Sequence, residues 1–232
     1  MELKIAEYLQ SVHTAIAESE RKSGRPAGSV ELLAVSKTHS PEVIRQAVDA
    51  GQLLFGENRV QEAKAKISDL PGKLRWHLVG HLQSNKIRSA LPMFEMIHGV
   101  DSIELLDEIQ RIGEDLGLFP RVLLQVNVAG ESSKFGFSPQ RLLSEMERIF
   151  RAERVQVEGL MTIPPLASNP ENSRKYFVQL RELRDRLEKD FRFSLPQLSM
   201  GMSGDYRIAI EEGATLVRVG TAIFGERNAK RP

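Results

Sequence analysis

Glu31-Leu32-Leu33-Ala34-Val35-Ser36-Lys37, followed two residues later by Ser40-Pro41-Glu42-Val43-Ile44-Arg45-Gln46-Ala47-Val48-Asp49-Ala50-Gly51, is the stretch that sets the architecture. Its first part is a short apolar run, the pattern of a buried strand. Ser40 then offers an N-cap and Pro41 a residue suited to the first helical position. Val43, Ile44, Ala47 and Val48 form a helical stripe, and Gly51 ends it. The stretch is one strand-helix unit.

The unit recurs along the chain. Further strands are predicted at 53–58, 75–80, 96–101, 121–128, 156–163, 197–203 and 215–221. The helix after the second strand runs through about Leu70, and the next begins at about Gln83. The one after the fourth strand has Asp101 as cap with Glu104 three residues on, and the one after the fifth opens with Ser138-Pro139. After the sixth strand, Phe177, Leu180, Leu183 and Leu187 line one helix face, while pairs such as Glu182 with Arg186 mark the solvated face. Before the first strand, Leu3, Ile5, Ala6, Leu9, Val12 and Ile16 describe an amphipathic helix, stopped by Gly24, Pro26 and Gly28. Eight strands alternating with helices, on 232 residues, fit a (β/α)₈ TIM barrel, a fold of about 250 residues, with one additional N-terminal helix. A doubly wound open sheet is the alternative. It usually carries a glycine-rich first turn, and here that turn is Ser36-Lys37-Thr38-His39. No linker or shift in composition divides the chain, so residues 1–232 read as one domain.

Composition narrows the function. Lys plus Arg is 32 and Asp plus Glu is 31, a net charge of +1, which lacks the basic footprint of a nucleic-acid-binding domain. The absence of cysteine excludes disulfides, thiolate metal sites and cysteine nucleophiles. The acidic start Met1-Glu2-Leu3-Lys4-Ile5-Ala6-Glu7 is unlike a signal peptide, and no segment reaches the roughly 20 apolar residues of a membrane span. The expectation is a cytoplasmic protein with no nucleic-acid or membrane partner.

In a barrel the chemistry lies at the C-terminal ends of the strands. Lys37 ends the first, on the side of Leu33 and Val35 by alternation. Partial desolvation there lowers a lysine pKa and frees an amine to attack a carbonyl; the ordinary explanation is a lysine whose stem covers apolar surface. At the opposite seam the seventh strand runs into Ser199-Met200-Gly201-Met202-Ser203-Gly204-Asp205 and the eighth into Gly220-Thr221 before a short helix. Small residues expose backbone N–H groups, hydroxyls add donors, and this corner is the common phosphate site of such barrels. Arg218 lies two residues before Gly220; its guanidinium keeps its proton and needs an acceptor, ordinarily a structural salt bridge. Together the three features describe an aldehyde, a phosphate and a ring acceptor, which are the parts of pyridoxal 5′-phosphate. His77, His81 and His98 fall near strand ends as polar residues of the mouth, without metal-ligand spacing. Lys134, in the loop Gly130-Glu131-Ser132-Ser133-Lys134, is a rival aldehyde-reactive lysine ranked below Lys37.

Several runs, in order, resemble the pyridoxal-phosphate homeostasis proteins: Ala34-Val35-Ser36-Lys37, Gly56-Glu57-Asn58-Arg59-Val60-Gln61-Glu62, Trp76-His77-Leu78-Val79-Gly80-His81-Leu82-Gln83-Ser84-Asn85-Lys86, Ser199-Met200-Gly201-Met202-Ser203 and Val217-Arg218-Val219-Gly220-Thr221-Ala222-Ile223-Phe224-Gly225. They span residues 34 to 225; the departure is Leu78, where the family more often has Phe or Met. The resemblance implies a fold like the N-terminal barrel of alanine racemase. It also implies Lys37 as the Schiff-base lysine, and Ser203, Gly220 and Thr221 around the cofactor phosphate. Ser199, Met200 and Gly201 then shape the same loop, Arg218 faces the pyridine nitrogen, and Asn58 lies near the ring.

An arginine donates to that nitrogen without protonating it, so the ring is a weak electron sink. Alanine racemase takes a second acid/base, a tyrosine, from another domain, whereas this chain ends about ten residues past its eighth strand and only Tyr206 of its tyrosines is near the cofactor loops. The resemblance therefore implies a non-catalytic carrier, with no catalytic residues and no metal. It would hold pyridoxal 5′-phosphate and pass it to apo-enzymes, in amino-acid and vitamin B6 balance. A lone barrel leans toward a monomer. The alternatives are an amino-acid racemase or lyase using the same cofactor, and a Schiff-base aldolase acting on a phosphosugar.

Overall fold

The structure, a computed structural model, describes residues 4–131 and 134–226. Among them, eight parallel strands close in chain order: β1 (Glu31–Val35), β2 (Leu54–Glu57), β3 (Arg75–Leu78), β4 (Met96–Val100), β5 (Arg121–Gln125), β6 (Gln156–Met161), β7 (Gln197–Met202) and β8 (Leu216–Val219). Leu33 pairs with Arg218 across the β1–β8 seam, so the barrel expected from the sequence is present. The helices are α1 (Ile5–Lys22), α2 (Pro41–Asp49), α3 (Val60–Ile67), α4 (Ile87–Ala90), α5 (Ile103–Leu116), α6 (Pro139–Phe150), α7 (Arg174–Phe191), α8 (Tyr206–Glu211) and α9 (Thr221–Phe224). None of the described helices is long and apolar enough to cross a membrane.

Strand alternation sorts the side chains into two cores. Leu33, Leu54, Val79, Met96, Leu123, Met161 and Leu216 fill the barrel interior. Leu32, Ala34, Phe55, Leu78, Leu198 and Val217 face outward and pack with the helices. At the N-terminal ends of the strands an ionic belt closes the base. Glu95 accepts from Arg75 at 2.7 Å and from Arg121 at 2.6 Å, while Arg75 also pairs with Glu31 and Arg121 with Glu158. The Arg75 hydrogen bond is the main cause that holds the Glu95 carboxyl down to about 2.

The additional helix α1 lies outside the β1–β8 seam, burying Ile5, Leu9, Val12 and Ile16 and packing on α8 and α9. Its end is tied down by Glu20, which accepts from the N–H groups of Gly28 (3.1 Å) and Val30 (2.8 Å). Arg25 donates to the carbonyls of Ile210 and Ala214 at 2.9 and 2.7 Å.

Some local expectations change. Asp101 does not cap α5; Ser102 does, accepting from the Leu105 N–H at 3.3 Å, because the Asp101 carboxylate is engaged by His81. The helix expected from Gln83 is a 3₁₀ turn (Ser84–Lys86) and the single turn of α4, cut short by Pro92 just after its C-cap Leu91. Arg186 pairs with Asp190 at 3.2 Å and not with Glu182. Ser138 caps α6 as expected, accepting from the Arg141 N–H at 3.2 Å.

Candidate functional site

Lys37 lies two residues past the end of β1, half-buried, following the inward residues Leu33 and Val35. The chain turns sharply there. The His39 N–H donates to the Ser36 carbonyl at 3.1 Å, and Thr38 takes a positive φ of 69°. That conformation is strained for a β-branched residue. The His39 ring packs against Phe224 of α9 with centroids 4.9 Å apart, joining this turn to the loop after β8.

That loop and the one after β7 form the donor-rich corner. Gly201 has φ +90°, and a Cβ on it would lie 2.6 Å from the Ala209 Cβ and 2.9 Å from the Tyr206 Cα, so only glycine fits. The next turn is closed by Asp205, whose carboxylate accepts from the Met202 N–H at 2.7 Å and whose N–H donates to the Met202 carbonyl at 3.0 Å. It presents the Ser203 hydroxyl, which accepts from the N–H groups of Gly220 (3.2 Å) and Ala222 (3.3 Å). Gly220 in turn lies against β1, a Cβ on it falling 3.1 Å from the Val35 carbonyl oxygen. Ser203, Gly220 and Thr221, the first residue of α9, thus meet beside the Lys37 turn. Met200 shapes this corner only through its backbone, because alternation turns its side chain into the outer core, fully buried.

Arg218 is 4 % exposed and lies two inward-facing positions deeper than Lys37, opposite Leu33. The ordinary salt bridge is not what holds it: among the described residues no carboxylate is within ion-pair distance. Its guanidinium donates to the Ser199 carbonyl (2.7 Å), the Ser199 hydroxyl (2.6 Å) and the Thr162 carbonyl (2.7 Å). Burial pushes it down to about 10, offset in part by Asp205, so it stays protonated at neutral pH. Ser199 therefore belongs to the barrel interior beneath the loop it was expected to shape.

The Ser199 hydroxyl also lies 3.0 Å from Nδ1 of His98, and Nε2 of His98 lies 3.0 Å from Nδ1 of His77. Since β4 and β7 are not neighbours in the sheet, this chain of contacts crosses the barrel interior. His77 and His98 are thus corrected from mouth residues to buried ones; burial holds His77 down to about 4 and His98 well below its ordinary range, so both are neutral. The signal was available, because alternation places them with the inward Val79 and Met96. His81 alone of the three stays at the mouth, with Nδ1 3.0 Å from the Asp101 carboxylate and its ring stacked on Phe135 at 4.2 Å.

Asn58 follows β2 on the side of Leu54 and Gly56, and its backbone presses on the end of β3. A Cβ on Gly80 would lie 2.2 Å from the Asn58 carbonyl oxygen. Lys134 donates to Glu131 at 3.2 Å in its own loop, of which Ser132 and Ser133 lie outside the described residues. Among the described residues no group of three or more His, Asp or Glu could hold a metal ion.

Residues 13–228 match the family model described as alanine racemase, N-terminal domain. The chain is 44 % identical over 226 residues to the pyridoxal phosphate homeostasis protein of Aquifex aeolicus, covering 97 % of this chain and 99 % of that one. Among solved structures it is similar to PipY of Synechococcus elongatus with PLP bound, at 43 % identity and a TM-score of 0.84, covering 96 % of this chain and all of that chain. A Clostridium difficile alanine racemase in complex with cycloserine shares the fold alone: 16 % identity, a TM-score of 0.69, and 94 % of this chain against 60 % of that one.

Proposed function

The chain belongs to the family of pyridoxal phosphate homeostasis proteins, built on the alanine racemase N-terminal domain, and on that premise we propose that it is a non-catalytic binder of pyridoxal 5′-phosphate serving the intracellular supply of that cofactor. The observation that carries the reading is Arg218, a buried guanidinium that, among the described residues, donates to two carbonyls and a hydroxyl and to no carboxylate. Arg25, which also donates to carbonyls, keeps contact with solvent, whereas Arg218 carries its charge almost fully buried. Such a charge on the floor of a barrel mouth suits a ligand with an acceptor of its own.

When bound, pyridoxal 5′-phosphate supplies an aldehyde that condenses reversibly with a primary amine and a ring that draws electrons once its nitrogen is protonated. Three features of this chain fit its parts. Lys37 offers the amine at the end of β1. The Ser203, Gly220 and Thr221 corner offers hydroxyl and backbone donors to the phosphate, in a turn that Gly201 and Met200 shape. Arg218, fixed by Ser199, would meet the ring nitrogen, and Asn58 would lie near the ring. Because Arg218 holds its proton, it would donate to the ring nitrogen without protonating it. That supports holding over turnover, as does the full-length match to relatives named for homeostasis. The reading treats residues 1–232 as one cofactor-binding barrel that acts as a cytoplasmic monomer and hands cofactor to apo-enzymes.

The test is exchange at the amino-acid α-carbon. Protein loaded with pyridoxal 5′-phosphate is incubated with D- and L-alanine in deuterated water, and deuterium at Cα is followed by proton NMR. Retention of the α-proton over many hours is expected; exchange at enzyme-like rates would make it a racemase or lyase.

A further inference from the structure

The residues on either side of Lys37 are both held by one buried charged cluster behind the sheet. Ser36 points outward by alternation and donates its hydroxyl to Glu57 at 2.7 Å. Its carbonyl accepts from the Lys66 ammonium at 2.9 Å. Lys66 reaches up from α3 and also donates to Glu57 at 2.9 Å and to Glu62 at 2.7 Å, which uses all three of its donors. Glu62 in turn accepts from the N–H of Thr38. Lys66 and Glu57 are almost fully buried, and none of these side chains shares the inward register of Lys37.

The ordinary explanation for such a cluster is stability, but a buried ion pair is weak evidence for that because desolvation offsets its attraction. The particular atoms it binds argue for another role. Two of its contacts end on the backbone of Ser36 and Thr38, and Thr38 has the positive φ of 69° that a threonine adopts only when its surroundings impose it. We propose that Glu57, Lys66 and Glu62 are positioning residues that clamp the turn around Lys37 and thereby fix the direction in which its amine meets an aldehyde. The inference rests on the proposed function for the identity of that aldehyde. The clamp itself is a property of the chain.

The test uses Glu62→Ala, because Glu62 is partly exposed and alanine removes the acceptor of both Thr38 and Lys66, whereas Lys66→Met leaves Glu57 buried without its counter-charge and is reserved for a second variant paired with Glu57→Gln. Two readouts are needed. Amide hydrogen exchange of the peptide spanning residues 36–40 reports the clamp without any cofactor. Labelling of Lys37 by pyridoxal 5′-phosphate and borohydride, mapped by mass spectrometry, reports its consequence. Glu62→Ala is expected to speed exchange and to lower the labelling rate, each by about tenfold, the scale of releasing a strained turn. Thr38→Gly, which accepts the positive φ without strain, should restore most of the labelling in the Glu62→Ala background. Unchanged exchange overturns the clamp, and faster exchange with unchanged labelling overturns its link to Lys37. Failure of Thr38→Gly to rescue also overturns it, since the loss is then general destabilisation. A parent protein not labelled at Lys37 at all refutes the proposed function itself, leaving the cluster purely structural.

Discussion

Replacing Arg218 with methionine separates a ligand-facing arginine from a structural one, because the two roles predict opposite balances of stability and binding. Burial lowers the Arg218 pKa from 12.5 to about 10. At about 1.4 kcal/mol per unit this corresponds to roughly 3 kcal/mol of stability that the charge costs the folded protein at neutral pH, a cost relieved progressively as the pH rises from about 10 toward the unfolded value. Against it stand the three hydrogen bonds that methionine removes. The Ser199 carbonyl still accepts from the Thr162 N–H at 3.2 Å and the Ser199 hydroxyl keeps its contact with His98, so the Thr162 carbonyl is the acceptor most exposed to loss. One buried acceptor left unpaired costs about 1–3 kcal/mol. The two effects nearly cancel, and urea unfolding of the cofactor-free variant should change by less than about 2 kcal/mol, or a few degrees in Tm. Affinity for pyridoxal 5′-phosphate, measured by absorbance titration, should fall tenfold or more, as when a charged partner of a polar ligand atom is lost. A loss of about 4 kcal/mol or more with affinity intact would make Arg218 a structural residue, since that is the signature of a broken buried charge contact.

Two further predictions concern the histidines and the turn. His77 is held down to about 4 from its ordinary 6.5 by burial, so the unfolded chain takes up the proton first. Stability is full above about pH 6.5 and drains as the pH falls toward 4, by about 3 kcal/mol for a shift of this size. A urea midpoint constant from pH 7 to 4.5 would contradict this. Gly201→Ala should cost about 1–3 kcal/mol through its positive φ and its contact with the Tyr206 backbone, and should weaken binding of the phosphorylated cofactor more than that of pyridoxal. Equal loss for the two ligands would dissociate this turn from the phosphate.

The barrel was legible because short, largely apolar runs alternate with helical stripes, some opened by clear start signals such as Ser40-Pro41 and Ser138-Pro139. The meeting of Lys37 with the Ser203 and Gly220 corner, above Arg218, was legible because a closed parallel barrel brings strand ends 1, 7 and 8 together. What was not legible depends on long-range pairing. Lys66 looks like one more cation in the solvated stretch of α3, and nothing local says that it reaches under Ser36 thirty residues earlier. Asp101 and Ser102 both suit a cap, and the choice between them is decided by His81 on the neighbouring strand end. Its motif groups Ser199 with the loop after β7, whereas its inward register commits it to Arg218 and His98.

Whether this chain holds pyridoxal 5′-phosphate through Lys37 is read from the visible absorbance of the purified, cofactor-loaded protein before and after borohydride, with peptide mapping of the reduced product. A yellow protein is expected, one that bleaches on reduction and carries a single phosphopyridoxyl group on the peptide containing Lys37. A protein that is colourless once unbound cofactor is removed, or one whose label falls on Lys134 with Lys37 unmodified, would show that Lys37 does not hold the cofactor.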